Sequence, residues 1–200
     1  MTKISDLPDL TRYNLDCRFG ENLEEIPVDA KSMLEYCKLG FAWIRQEMEQ
    51  PETSWRVPTL VQTLGRVAEK LKILQQTDEA MEMIETSLAL AQIHNLGPAV
   101  IVAQSLRRAD ILCAQKKFRN AESAYQKVLQ ICAAFPEALP WQHFALQNLG
   151  KLKLSEGQLT AALELFEKAL ALRKILADTS LLASTELAIA TTQTRLSLQK

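Results

Sequence analysis

The stretch that decides the fold is residues 146–172, LQNLGKLKLSEGQLTAALELFEKALAL, which is rich in leucine and alanine yet contains Gly150 and Gly157. A glycine inside a helix costs about 1 kcal/mol relative to alanine, which argues against one continuous helix. Gly157 lies between two helical patterns, where a turn residue is expected. The stretch therefore predicts a helical hairpin, in which Gly150 lets the second helix pack against the backbone of the first.

The same pattern recurs along the chain at a spacing of 41 residues. Small residues align with Gly150, and large apolar residues align with Phe166. The aligned sets include Ala68, Ala109 and Gly150; Ala80, Ala121 and Ala162; Ile84, Tyr125 and Phe166; and Leu88, Leu129 and Leu170. Because small residues fit where helices approach closely and large residues fit where they interlock, the sequence predicts three stacked hairpins.

These units resemble the tetratricopeptide repeat, whose first helix carries a large residue, Leu-Gly and Tyr, and whose second helix carries Ala, Phe and Ala. The third unit matches through Leu146, Leu149, Gly150, Gly157, Ala162, Phe166 and Ala169, with Lys153 in place of the Tyr. The second unit matches least well, because Arg108 occupies an apolar position. The unit is longer than the usual length of about 34 residues. In this it is similar to the repeats of kinesin light chains, bacterial peptide-responsive regulators and spindle-orientation adaptors.

The resemblance implies an all-α fold, a right-handed α-solenoid of three stacked antiparallel hairpins with an N-terminal helix and a C-terminal capping helix. We expect an irregular N-terminal segment, 1–27, followed by a helical repeat domain, 28–200. Breakers and periodicity place the N-terminal helix at about 29–49, the hairpins at about 57–94, 98–134 and 138–175, and the capping helix at about 180–198. Gly97 and Pro98 separate the first two hairpins.

Charge is distributed unevenly, although the net charge is only −1. Residues 1–56 contain 11 acids and 7 bases, whereas residues 101–200 contain 8 acids and 13 bases. This gradient favours an acidic partner for the C-terminal half, but it is too mild to predict nucleic-acid binding. The sequence shows no signal-peptide pattern, and the uncharged run 86–106 is interrupted by polar residues and Gly97-Pro98. We therefore expect a cytoplasmic protein without a membrane segment.

No catalytic or metal-binding pattern is apparent. His94 and His143 lie in separate segments, and the four cysteines lack the paired spacing of a metal site or a redox motif. Gly150-Lys151 is not preceded by a phosphate-binding loop, and neither a GxSxG nor an HExxH motif is present. The sequence thus predicts that the protein is not an enzyme and binds no cofactor and no metal.

The resemblance also implies a ligand groove lined by the second, fifth, sixth, ninth and twelfth positions of each unit. The predicted peptide-binding residues are Gln62, Arg66, Glu69, Arg107, Asp110, Phe144, Gln147, Asn148 and Lys151. Arginine and lysine can hold carboxylates, and Asn148 resembles the asparagine with which kinesin-light-chain repeats contact peptide. The alternative interpretation is that these residues form only the solvated face of amphipathic helices.

The predicted function is a non-catalytic scaffold that binds a peptide or helical segment of another protein in the concave groove. Three alternatives remain open: a sensor whose curvature responds to a peptide or ligand, a secretion-type chaperone, and a structural homo-oligomer. The last alternative rests on Leu182, Ile189 and Leu196, which recur every seven residues in a segment with only two charges. These residues predict a face for a second copy, as in a homodimer, or for another partner, although a neutral solvated face would give the same pattern.

Acidic residues near the N-terminus suggest a further hypothesis. Asp16, Glu21, Glu24 and Glu25 are complementary in charge to the basic residues predicted for the groove. The N-terminal segment could therefore fold back onto the groove and compete with a ligand.

Overall fold

The computed structural model describes residues 12–176 and 179–199. Two strands come first, β1, Cys17–Phe19, and β2, Glu25–Pro27. The helices that follow are α1, Ala30–Met48; α2, Val57–Ile73; α3, Thr77–Ile93; α4, Pro98–Ala114; α5, Phe118–Ala134; α6, Gln142–Ser155; α7, Leu159–Leu176; and α8, Thr179–Ser197. Short 3₁₀ turns lie at Glu52–Ser54 and Pro136–Trp141.

The helices form an all-α solenoid, as the repeat predicts. The three hairpins are α2 with α3, α4 with α5, and α6 with α7, and each hairpin packs on the next through α3 against α4 and α5 against α6. Helix α8 packs on α7 and also touches α6. It thus occupies the position of the first helix of a further unit. No helix in the described ranges combines the length and the apolar character needed to cross a bilayer.

Close approach of the two helices in each unit is confirmed. Ala68 and Ala109 are fully buried, as is the Phe166 ring that faces Gly150. A Cβ atom added to Gly150 would lie 2.6 Å from Cε1 of Phe166, so only glycine allows this spacing. The apolar cores of successive units follow from the repetition of this contact.

Glycine and proline set the boundaries between helices. Gly97 and Gly157 have φ values of 86° and 74°, in the left-handed region that glycine adopts without strain, and Pro98 is the first residue of α4. Helix α6 begins at Gln142, later than the predicted residue 138, because the preceding residues form a 3₁₀ turn that contains Pro140. Proline has no backbone N–H to donate, and it therefore delays the α-helix.

The N-terminal segment differs from the prediction. Residues 17–27 form an antiparallel hairpin, in which Cys17 pairs with Pro27, Arg18 with Ile26 and Phe19 with Glu25. The expectation of an irregular segment is wrong for these residues, whereas residues 1–11 lie outside the described part of the chain. Each strand has only three residues, too few for periodicity to show. The contacts that stabilise the hairpin come from distant helices.

Arg108 explains why the second unit matches the repeat pattern least well. Its Nε atom lies 2.6 Å from Oε1 of Glu85 on α3, and its side chain is partly exposed. The arginine thus forms an ion pair with the preceding unit at a position where other units place an apolar residue. The unit keeps its geometry because Ala109, the neighbouring small residue, remains buried.

Replacing Gly150 tests the close approach. Gly150→Ala gains about 1 kcal/mol of helix propensity, but the new methyl group overlaps the buried Phe166 ring at a cost of about 1–3 kcal/mol. We expect a net destabilisation of about 1 kcal/mol in urea unfolding. In a Phe166→Leu background, the same change should become stabilising. Equal stabilisation in both backgrounds would contradict the proposed contact.

Candidate peptide-binding groove

We call the groove the surface shared by α2, α4 and α6, the first helices of the three units, which contact one another in that order. Most of the predicted residues are half-buried on this surface. These are Arg66, Glu69, Arg107, Asp110, Phe144, Asn148 and Lys151, whereas Gln62 is exposed and Gln147 is buried. A purely solvated helix face would not show this burial.

Glu69 joins the first two units of the groove. Its carboxylate accepts a hydrogen bond from Lys70 Nζ at 2.8 Å and one from Arg107 Nε at 3.3 Å. Burial raises the pKa of Glu69, but the charges of Lys70 and Arg107 lower it by more, to about 2. The carboxylate therefore stays ionised and links α2 to α4.

Asp110 joins the second and third units. Its carboxylate accepts hydrogen bonds from the Tyr125 hydroxyl at 2.5 Å and from Asn148 Nδ2 at 2.9 Å. Burial raises the pKa of Asp110, although the charge of Lys72 and the Tyr125 hydrogen bond act in the opposite direction. The amide nitrogen of Asn148, predicted to contact a peptide, thus already donates to a neighbouring helix.

Lys72 is a groove residue that the sequence analysis missed. Its side chain is only 16% exposed, and Nζ lies 2.7 Å from Oε2 of Glu25 in β2. Burial lowers the pKa of Lys72, but Glu25 and Asp110 raise it by more, so the ammonium stays charged. The signal was available: Lys72 follows Glu69 by three residues, at the twelfth position of the first unit.

Lys151 and Arg66 are groove cations without a carboxylate partner among the described residues. Lys151 Nζ lies 5.1 Å from the centre of the Phe19 ring, and no carboxylate of the described residues lies within 4 Å of it. Burial lowers the pKa of Lys151, outweighing the opposite effect of Glu25. Arg66 is half-buried and likewise forms no ion pair or hydrogen bond within the described ranges. Neither charge is neutralised by a carboxylate of the described residues, so each can still pair with an anion.

The groove as a whole is positively charged. Its helices contribute five cations, Arg66, Lys70, Lys72, Arg107 and Lys151, against the carboxylates of Glu69 and Asp110. The N-terminal hairpin adds Glu25 as a third carboxylate. Nowhere in the described ranges are three or more His, Cys, Asp or Glu residues grouped so that they could hold a metal ion.

Two predicted groove residues serve packing. Gln147 is only 3% exposed, and its side-chain oxygen has no hydrogen-bond partner within the described ranges. Phe144 packs beside His143 with ring centroids 4.0 Å apart, and the guanidinium of Arg173 lies 5.6 Å from its ring centre. The position of Arg173 on α7 beside Phe144 is not revealed by the repeat pattern of α6 alone.

The uncharged face predicted on the last helix lies partly against the rest of the chain. Ile189 and Leu196 pack on a buried cluster made of Leu23, Leu154, Leu159, Ala162, Phe166 and Ala188. Leu182 is half-buried. Packing within the chain thus accounts for the seven-residue spacing of Ile189 and Leu196 without a second copy.

Comparison with known proteins agrees with this geometry. Residues 100–175 match the family model of the tetratricopeptide repeat. Residues 100–175 thus contain tetratricopeptide repeats. With a spacing of 41 residues, these are repeats of the long type. The comparison with curated protein sequences finds no significant match.

Solved structures show the same solenoid of helical hairpins. BtubC (BKLC) from P. vanneervenii is 19% identical with a TM-score of 0.64, and the match covers 81% of this chain but only 65% of BtubC. A Podosopora anserina protein described as a kinesin light chain with nearly identical TPR-like repeats is 17% identical with a TM-score of 0.58, over 80% of this chain and 77% of that one. The structure of a variant of this Podosopora anserina protein is 20% identical to the chain, with a TM-score of 0.59. That match covers 84% of this chain and 82% of the other. At such identities the likeness concerns the fold alone.

The ionised Glu69 predicts a specific pH dependence of stability. Its folded pKa of about 2 lies below the ordinary value of 4.5, so its contribution is present above pH 4.5 and disappears as the pH falls towards 2. We expect Glu69→Gln to lower the free energy of unfolding by no more than about 1 kcal/mol at pH 7, because water screens a carboxylate that is 34% exposed. Urea unfolding should show this difference shrinking at pH 3. Arg107→Met should weaken the same dependence, and a difference that grows in acid would be inconsistent with the pairing.

Helix α8 offers a test of intrachain packing. Ile189→Glu places a charge against the buried cluster and should lower the free energy of unfolding by about 2 kcal/mol or more. Leu187→Glu is the matched control, because Leu187 is 45% exposed and should tolerate the charge. Thermal unfolding at several protein concentrations measures both. If only dissociation of an oligomer changes, the face belongs to an interface between copies.

Proposed function

We propose that the groove binds an extended acidic segment of a partner protein and that the chain acts as a non-catalytic interaction scaffold. The tetratricopeptide repeats support the general role, because proteins built from them typically bind other proteins and are not catalysts. The choice of an acidic ligand rests on the groove of this chain.

The observation that carries the proposal is the pair of unpartnered cations. Lys151 is partly desolvated, with its pKa lowered by burial, yet it has no carboxylate partner within the described ranges. A charge in this position is poorly stabilised by the chain itself, and it gains free energy when an anion approaches. A glutamate or aspartate of a partner would supply that anion.

The polar contacts between units support a preformed binding surface. Glu69–Arg107 and Asp110–Asn148 connect neighbouring first helices, so the groove side chains are already positioned before any ligand arrives. Preformed sites lose less conformational entropy on binding. The curvature sensor, the secretion-type chaperone and the homo-oligomer remain predictions, since no contact in the groove favours one of them.

Selection from a random peptide library tests this function. The full chain is used as bait, and we expect the enriched peptides to carry an excess of Asp and Glu. Arg66→Glu with Lys151→Glu should lower the affinity of these peptides by about tenfold or more. The control pair, Lys127→Glu with Lys168→Glu, makes the same charge change at exposed positions on α5 and α7 and should leave affinity within about twofold. Peptides without acidic enrichment, or equal losses in both pairs, would refute the assignment.

A further inference from the structure

The N-terminal hairpin lies across the groove. Phe19 and Glu25 are directly paired between β1 and β2, so their side chains project from the same face of the hairpin. That face meets the groove at two helices, where Glu25 pairs with Lys72 of α2 and Phe19 covers Lys151 of α6. The hairpin thus places an acidic and an aromatic side chain on two of the groove cations.

The turn of the hairpin inserts a leucine into an apolar socket. Leu23 is only 3% exposed and packs with Leu154, Leu159, Ala162, Phe166 and Ala188. We call the five residues that surround Leu23 the leucine socket; they belong to α6, α7 and α8. Leu23 reaches the socket with φ of 62°, a left-handed conformation that a branched side chain rarely adopts. The burial of its side chain compensates for an unfavourable backbone.

Arginine on the last helix fixes the backbone beside the socket. Arg195 Nη2 donates to the carbonyl oxygen of Glu21 at 2.7 Å and to Oδ1 of Asn22 at 3.0 Å. The contact with the main-chain carbonyl does not depend on the sequence of the occupant, whereas the contact with Oδ1 requires a side-chain acceptor. The socket, Arg195 and Lys72 together therefore form a site for a segment that turns at a leucine and continues to a carboxylate.

We propose that the hairpin is an intrachain occupant of the partner site, and that the partner segment carries a leucine at a turn, followed two residues later by an acidic residue, as in Leu23 and Glu25. This inference rests on the proposed function and specifies its ligand. Binding of the partner then requires displacement of the hairpin from the groove.

The hairpin has the properties of a replaceable occupant. Each strand has three residues, and a two-stranded hairpin of this size is marginally stable by itself. Its contacts with the groove are side-chain contacts and one arginine–carbonyl contact, which a second segment can reproduce. Because it is tethered to α1, it acts at a high effective concentration and raises the apparent dissociation constant of any competing segment.

A synthetic peptide of residues 14–29, with Cys17→Ser, serves as the probe. Its affinity is measured by fluorescence anisotropy for the full chain and for an opened chain, Leu23→Ser with Glu25→Lys. We expect the opened chain to bind the peptide at least about tenfold more tightly than the wild type. Glu35→Lys is the matched control; it makes the same charge change on an exposed side chain of α1, outside the hairpin, and should bind as weakly as the wild type.

A charge swap tests whether Lys72 binds the acidic residue of the segment, the equivalent of Glu25. The chain with Lys72→Glu should bind a peptide with Glu25→Lys. Its affinity for the unmodified peptide should fall by about tenfold or more. Hydrogen exchange of the wild-type chain provides a second measurement, which does not depend on the folding of a variant. Excess peptide should increase exchange at the amides of Gly20 and Val28, which donate within the hairpin region in the free chain.

The outcomes separate this inference from the proposed function. Equal affinity of the wild-type and opened chains, with unchanged exchange in the hairpin, would overturn the inference and leave an acidic-peptide groove intact. Failure of a folded, opened chain to bind the peptide would also overturn it. If, in addition, the library yields no acidic peptides, the proposed function fails separately.

Discussion

Close approach of two helices within each unit is the constraint on which the rest of the structure depends. Gly150 lets the Phe166 ring contact the backbone of α6, and alanine takes the same position in the other units. This spacing fixes each hairpin, and the 41-residue period then brings equivalent faces of α2, α4 and α6 side by side. A groove with reproducible side-chain positions follows from packing alone, before any of its charges are considered.

The electrostatics of the groove follow from partial burial. Surface ion pairs are weak because water competes for them, whereas Lys72 and Lys151 lie where desolvation makes pairing matter. Lys72 is paired with Glu25, whereas within the described part of the chain Lys151 contacts the Phe19 ring and no carboxylate. The surface is therefore organised by its own ion pairs and still retains an excess of positive charge.

The fold could be predicted from sequence because its determinants are local and periodic. The small residue at 68, 109 and 150, the breakers Gly97 and Gly157, and the 41-residue register are all visible in the sequence. The site could be predicted only in part. The repeat register correctly placed Arg66 and Lys151 on the first helices of their units. The burial of Gln147, however, depends on tertiary packing. A position in the repeat identifies the face of the helix but not the direction of the side chain.

The hairpin shows the limit of a repeat-based prediction. Charge complementarity suggested that the acidic N-terminus approaches the groove, yet neither the strand pairing nor the insertion of Leu23 could be inferred. Both arise from contacts between residues far apart in sequence, and such contacts leave no periodic trace. Lys72, by contrast, could have been predicted from its position in the repeat. It occupies the twelfth position of the first unit, which faces the groove, but it was not included among the predicted residues.

The contact between Arg195 and the turn at Glu21 and Asn22 has a consequence for the order of folding. Helical hairpins close short loops and form early, whereas this contact joins residues separated by almost the whole chain. The leucine socket also needs α8, which is synthesised after the other helices that build the socket. During translation the array therefore assembles with an open groove, and the N-terminal hairpin docks only after α8 has emerged.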